Sequence, residues 1–413
     1  MQESNMSHKK EFIKNIFSFG SIDILGLLIP IITMPILTRA LGPSQYGNYM
    51  LLLTILYFGH TIIDYGTQYT AVRVLARNRS NPKKIDLIYR KTQGLRLFLY
   101  ILYSIVMVLY CLFFIEENIA HYMVFAIFTY LLGYTLTPLW FYQGIGAVDI
   151  VMRTSLIVKL INLTIIIFLV KTSNDMFIVI ASLCLPMLLG GLLLSYLAHN
   201  RYHVGLPVLN KLRHSLLEGK DVFLGLLAPN LYNSIPTIAL GTIYTPAEFA
   251  SFAIASRLSS VIVTVQNVIA KAIYPIITIQ KNNHVNKLLI TNFVVSIIPA
   301  ILIYFIGEWA LQIFLGKSFS GVNQYLFILC IGIVFIGLSN AISQGYFLPN
   351  GYDKLYRNIS LRVSIISAVI VIIMIYYYGL LGGAIAVTIA RILFFIDYLT
   401  VYQNLKSAKS TIF

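Results

Sequence analysis

Of 413 residues, 58% are hydrophobic and only 11% are charged, against roughly 25% charged in a soluble domain. A water-surrounded core cannot hide that much apolar surface, so composition excludes a soluble globular protein and makes lipid the solvent for much of the chain. The net charge of +15 does not point to nucleic acid, because the basic residues lie in short clusters between apolar runs rather than on one face with interleaved aromatics.

An apolar helix needs about 20 residues to cross a bilayer. Breaks at charges, Pro and Gly divide the chain into twelve candidate spans. The N-terminal six cover 13–37, 46–70, 94–115, 121–143, 151–170 and 176–198. The C-terminal six cover 221–243, 247–273, 286–306, 323–346, 358–378 and 380–402. Lys9, Lys10 and Lys14 precede the first run, which is longer than a signal-peptide core and is not followed by a small-residue cleavage site; it is expected to be retained as a helix. Cys111, Cys184 and Cys330 lie singly inside apolar runs, without metal or redox spacing.

Lysine and arginine concentrate in cytoplasmic loops. With the N-terminus inside, only Arg39, Lys171 and Lys317 of the 30 basic residues fall on the external side, and Arg257 and Arg391 fall inside spans. Both termini are therefore expected in the cytoplasm. The longest connections, 71–93 and 199–220, lie on the same face. External links such as "EENIAH", "KTSND" and "YTP" are short, leaving no room for a soluble domain.

Two phrases occur twice. "LGPSQYGNY" (41–49) matches "YTPAEFASF" (244–252) at Pro43/Pro246, Gln45/Glu248, Tyr46/Phe249 and Tyr49/Phe252. Pro at the first helical position suits a helix start. Thr245 with Glu248 reads as a capping box, and Gly42 with Gln45 as its counterpart. "YQGIGAVDIVMR" (142–153) echoes "SQGYFLPNGYDKLYR" (343–357), aligning Gln143 with Gln344. Both echoes occupy the same place in each six-span half. The expected architecture is thus an all-α integral membrane protein of twelve helices in two parallel six-helix repeats around a central cavity. Its parts would be an N-terminal lobe 1–200, a cytoplasmic connector 201–220 and a C-terminal lobe 221–413. Parallel repeats are a known transporter architecture.

On "PILTRALGPSQYGNY", "DYGTQY" (64–69), "YTPAEFASFAIASRL" and "GLLGGAIAV" (379–387), the chain resembles the Wzx-type polysaccharide-unit flippases of the multidrug/oligosaccharidyl-lipid/polysaccharide exporter superfamily. The resemblance implies translocation of an undecaprenyl-diphosphate-linked oligosaccharide, such as an O-antigen unit, to the outer leaflet of a bacterial inner membrane. It also implies alternating access between two lobes, with polysaccharide polymerase machinery as a possible partner.

Arg257 and Arg391 lie about ten residues into their spans, roughly 15 Å deep at the helical rise. A central Arg costs at least ~2.5 kcal/mol on insertion scales and so should face protein or water. A guanidinium fork suits a diphosphate, although pairing with an internal Asp for packing alone remains open. Lys159 and Lys271 could meet an incoming headgroup or merely snorkel. Asn233 and Gln266, with Asn230 and Asn267, could bond sugar hydroxyls or join helices. His60 and Asp64 share a helix face and, with Asp23, are candidates for coupling to a proton or sodium ion. Asp64 could instead cap against Arg73, and Asp397 reads as interfacial. "IYYYGLL" (375–381) reads as an aromatic belt.

A multidrug cation antiporter of the same superfamily is the first rival, but it calls for acidic cavities. A membrane polysaccharide polymerase is the second; no large external loop or catalytic grouping supports it, and no cofactor or metal is expected. A purely structural membrane protein fits poorly with intramembrane arginines.

Overall fold

The computed structural model describes residues 2–209, 212–280, 285–319, 321–347, 350 and 352–410; side chains are described from Gly26 onward, except Leu27, 267–280, Lys287, Asp353 and 408–410. The regular structure of the described residues is all helical. In order, the helices are α1 (Gln2–Asp64), α2 (Thr67–Ala76), α3 (Pro82–Phe114), α4 (Glu117–Leu136), α5 (Leu139–Ile145), α6 (Val148–Leu169) and α7 (Met176–Tyr202). They continue with α8 (Leu212–Leu227), α9 (Ser234–Ile243), α10 (Pro246–Gln280), α11 (Val285–Leu315), α12 (Val322–Ile342) and α13 (Asp353–Ser410).

Among the described residues, eight helical stretches are long and apolar enough to cross a membrane, so this is a multi-pass membrane protein. Two helices longer than any bilayer needs contain a break. Gly42 sits at φ 69° inside α1 and Gly379 at φ 57° inside α13, a region that favours glycine. The span expected over 221–243 is not continuous: α8 stops at Leu227 and α9 starts at Ser234. Pro229 has no N–H to extend the first helix, and the Asn233 side chain donates back to the Pro229 carbonyl at 3.0 Å.

The chain forms two compact units, one of Met1–Gly42 with Leu52–Leu227 and the other of Pro43–Leu51 with Ala228–Phe413. In the first, α4 and α7 cross at two glycines. A Cβ on Gly133 would lie 2.6 Å from the Leu188 nitrogen, and one on Gly191 would strike the Gly133 carbonyl. Such small-residue crossings let membrane helices approach backbone to backbone. Trp140, Phe141 and Tyr142 of α5 are fully buried with Leu75 of α2 and Leu194 of α7. In the second unit, Tyr232, Phe347, Phe394 and Tyr398 form the centre of the core.

Within that second unit the two copies of the first echo meet. Gly47 packs directly on the Pro246 carbonyl, where no Cβ would fit, and Tyr46 sits edge-on to Phe319 at 5.9 Å. The capping box of the second copy is present: the Thr245 N–H donates to Glu248 Oε2 at 3.2 Å and the Glu248 N–H to Thr245 Oγ1 at 3.4 Å. The counterpart expected at Gln45 does not form. Its Oε1 is buried without a hydrogen-bond partner among the described residues, because the chain runs through Gly42 with only that one residue out of helical geometry. Tyr376, Tyr377 and Tyr378 are exposed, as an interfacial belt requires.

On the link between α6 and α7, Thr172 and Asp175 form a second capping box. The Lys171 and Thr172 N–H groups donate to Asp175 Oδ2 at 3.0 and 2.8 Å and hold its carboxyl below the usual range. The cap is therefore complete above the ordinary carboxylate pKa and is lost as acidification protonates Asp175.

Candidate functional site

The densest polar site lies in the first unit, where the C-terminus of α4 breaks at Pro138. The last carbonyls of a helix have no intrahelical partner. Here Arg96 of α3 supplies donors: its guanidinium reaches the carbonyls of Thr135 at 3.1 Å, Thr137 at 3.1 Å and Tyr134 at 3.2 Å. Gln93, one turn earlier, donates to Thr135 at 2.5 Å, and Ser195 of α7 donates to Leu136 at 2.7 Å. A cation at a helix C-terminus also opposes the negative end of the dipole.

The same guanidinium lies 3.3 Å from Asp64, with Arg96 itself only 2% exposed. Asp64 also accepts from Gln68 at 3.2 Å and from the Tyr134 hydroxyl. Asp64 is thus met by Arg96 across helices, not by Arg73 as a local cap. His60 stacks on Tyr134 at 3.6 Å between ring centroids and on Tyr130 at 5.5 Å, and its Nε2 is buried without a hydrogen-bond partner among the described residues. The helix-face pairing of His60 and Asp64 therefore brings both against Tyr134, but the charge partner is Arg96. Counting basic residues along the chain places Arg96 with the cytoplasmic flank; the legible signal was its position inside the run that opens at Gly94, with Gln93 beside it.

In the second unit Arg391 of α13 is 9% exposed. It donates to the Leu329 carbonyl at 3.2 Å and packs against Gly332 of α12, where a Cβ would lie 3.0 Å from its Cδ. This is a helix-to-helix bond at the α12–α13 seam. Arg257 of α10 is partly exposed and lies close enough to Tyr46 to act on it electrostatically. Gln266 is fully buried and bridges helices, donating to Ser296 at 2.5 Å and to the Ile333 carbonyl at 3.3 Å. Asn292 makes a parallel bridge to the Gly337 carbonyl at 2.8 Å. Of the two roles open to Gln266, the structure shows the joining of helices. Asn233 likewise serves its own broken turn. Lys159 reaches Gly26 of α1, and Asp397 pairs with Arg362, whose Nε donates at 3.0 Å. The side chains of Asp23, Lys271 and Asn267 lie outside the described residues. Among the described residues, no group of three His, Cys, Asp or Glu side chains could hold a metal.

The family model described as "Polysaccharide biosynthesis protein" matches residues 12–280. The chain belongs to the polysaccharide biosynthesis protein family. A relative from Shigella dysenteriae, named "Putative O-antigen transporter", is 25% identical over 388 residues, covering 92% of this chain and 97% of its own. Among solved structures, an inward-facing multidrug resistance transporter of the MATE family, MOP superfamily, gives a TM-score of 0.72 at 14% identity over 93% of this chain and 96% of its own. The lipid II flippase MurJ in an inward closed conformation also gives 0.72 at 14% identity, over 94% and 87%. The chain therefore shares the fold of these two transporters, and the family read from the motifs around Pro43 and Pro246 is the one found.

Proposed function

We propose that the chain flips a diphosphate-linked oligosaccharide on a polyprenyl carrier from the cytoplasmic to the outer leaflet of a bacterial inner membrane, by alternating access. The observation that carries this reading is the charge balance inside the membrane. Asp64 and Asp397 are each met by an arginine, while Arg257 and Arg391 place further positive charge well inside α10 and α13. That interior suits a diphosphate better than a cationic drug, which weighs against the antiporter that shares the fold. The relatives' O-antigen transport supports the same substrate class.

In this reading the breaks at Gly42 and Gly379, and α8 with α9 taken as one interrupted span, bring the count to twelve in two parallel repeats with both termini inside. Arg257, with Lys159 and Lys271 nearer the cytoplasm, attracts the diphosphate, and Arg391 ties α13 to α12. His60 and Asp64, with Asp23, remain the candidates for cation coupling.

Arg257→Ala is expected to abolish or strongly reduce surface polysaccharide with protein level near normal, and Arg257→Lys to keep partial activity, since charge survives while the bidentate fork is lost. Normal transport by Arg257→Ala would end the phosphate role, and collapse of the protein level would make Arg257 a packing residue. Topology is tested separately. Reporter fusions at Asn81, His203 and Lys406 are expected to read cytoplasm, and those at Glu117 and Ser318 exterior. An external signal at His203 would overturn the six-plus-six division.

A further inference from the structure

On the flank of the first unit, α6 and α7 enclose an apolar groove of about 450 Å³. Ile157, Val158, Ile161 and Ile165 form its α6 wall, and the α7 wall runs from Phe177 to Leu193. Two hydroxyls line it, and both are already engaged. Thr154 donates to the Ile150 carbonyl at 3.0 Å; Ser182 donates to Val179 at 2.8 Å and accepts from Asn162 at 2.9 Å. No polar atom in the lining asks for water or a headgroup, so hydrocarbon fits and a hydrated ligand does not.

The sequence of α7 shapes this space at some cost to the helix. Pro186 lies inside α7, where it removes a backbone hydrogen bond. Gly190, a poor helix former, lets α6 come close, since a Cβ there would lie 2.7 Å from Val158 Cγ2. Ala181 and Ser182 keep the wall shallow one to two turns away. Ile157 and Leu189 on its rim are 55% and 66% exposed, so the groove opens to lipid.

Its length selects the occupant. From Phe177 to Leu193 the α7 wall runs about 24 Å at the helical rise. One leaflet of a bilayer with a hydrocarbon core of about 30 Å offers about 15 Å. A phospholipid acyl chain ends near the midplane; a chain lying along this whole groove must cross it.

We propose that the α6–α7 groove is the binding track for the polyprenyl tail of the carrier lipid. The identity of that chain rests on the flippase reading above. The branched isoprene units lie between the β-branched wall of α6 and the shallow wall of α7, and the tail is held against the first unit while the headgroup is moved.

The test uses the full chain reconstituted in phosphatidylcholine–phosphatidylglycerol vesicles with diazirine-bearing undecaprenyl diphosphate as probe. Labelling is expected on peptides spanning 154–165 and 177–193 and is competed by unlabelled carrier. Ala181→Phe and Leu185→Trp fill the groove from α7 and should melt as the wild type does. They are expected to cut labelling roughly tenfold or more, the loss when two or three buried methylenes lose their contacts. The same variants should lose transport of an undecaprenyl-linked oligosaccharide yet move a geranyl-linked one as the wild type does. Labelling elsewhere, or labelling by a diazirine phospholipid that the carrier does not displace, would overturn the proposal. So would filled variants that transport the long-tailed substrate normally. If the wild type transports neither substrate while the groove is labelled and competed, the flippase reading fails and the polyprenyl track stands.

Discussion

Arg96→Met is expected to destabilise the protein by about 3–5 kcal/mol, the usual cost of removing one partner of a buried ion pair. The loss has two parts. Asp64 is left as a carboxylate in a site where, among the described residues, only Gln68 and Tyr134 still donate to it. The carbonyls of Tyr134 and Thr137 at the broken end of α4 lose the donors that Arg96 supplies. Arg96→Lys should recover only a part, since one ammonium cannot reach three carbonyls and a carboxylate from a fixed stem. Adding Asp64→Leu to Arg96→Met should restore more of the loss, because no charge is then stranded. Protein accumulation and thermal melting in detergent measure all three. An Arg96→Met variant that melts with the wild type would show that the α4 terminus is held by other contacts.

Gly191→Val is expected to cost about 3 kcal/mol, at the upper end for an overpacked site. Most overpacking is relieved by a flexible side chain moving aside, but here the obstacle is the Gly133 carbonyl on α4. Relief requires the two helices to part, which also strains the Ser195 bond to Leu136. Gly191→Ala should show the same effect in smaller measure. A variant that melts unchanged would mean that α4 and α7 are free to slide. By contrast Gly225, where a Cβ would meet nothing within 4 Å, should accept Ala without loss and serves as the control.

Hydrophobic runs and the placement of Lys and Arg were enough to read a multi-pass helical membrane protein, and the motifs around Pro43 and Pro246 carried the resemblance to its family. Both signals are one-dimensional: a helix in lipid satisfies its own backbone, so each span is written in its own residues. The glycine breaks at Gly42 and Gly379 and the Thr245–Glu248 cap were legible for the same reason, since each depends on near neighbours. What the sequence could not decide is which long-range partner each polar residue takes. Arg96 reads as one more cytoplasmic cation until α4 is seen to end at its guanidinium. Gln266 reads equally as sugar ligand or helix joint until Ser296 and the Ile333 carbonyl are placed beside it. Arg391 reads equally as a cavity or a packing residue until α12 brings the Leu329 carbonyl to it. The groove between α6 and α7 belongs to the same class, because Pro186 and Gly190 reveal a weakened helix but not the wall of α6 that faces them. A buried polar or small residue takes its meaning from what packs against it, and in this chain those partners arrive from helices distant in sequence, which only the tertiary structure brings together.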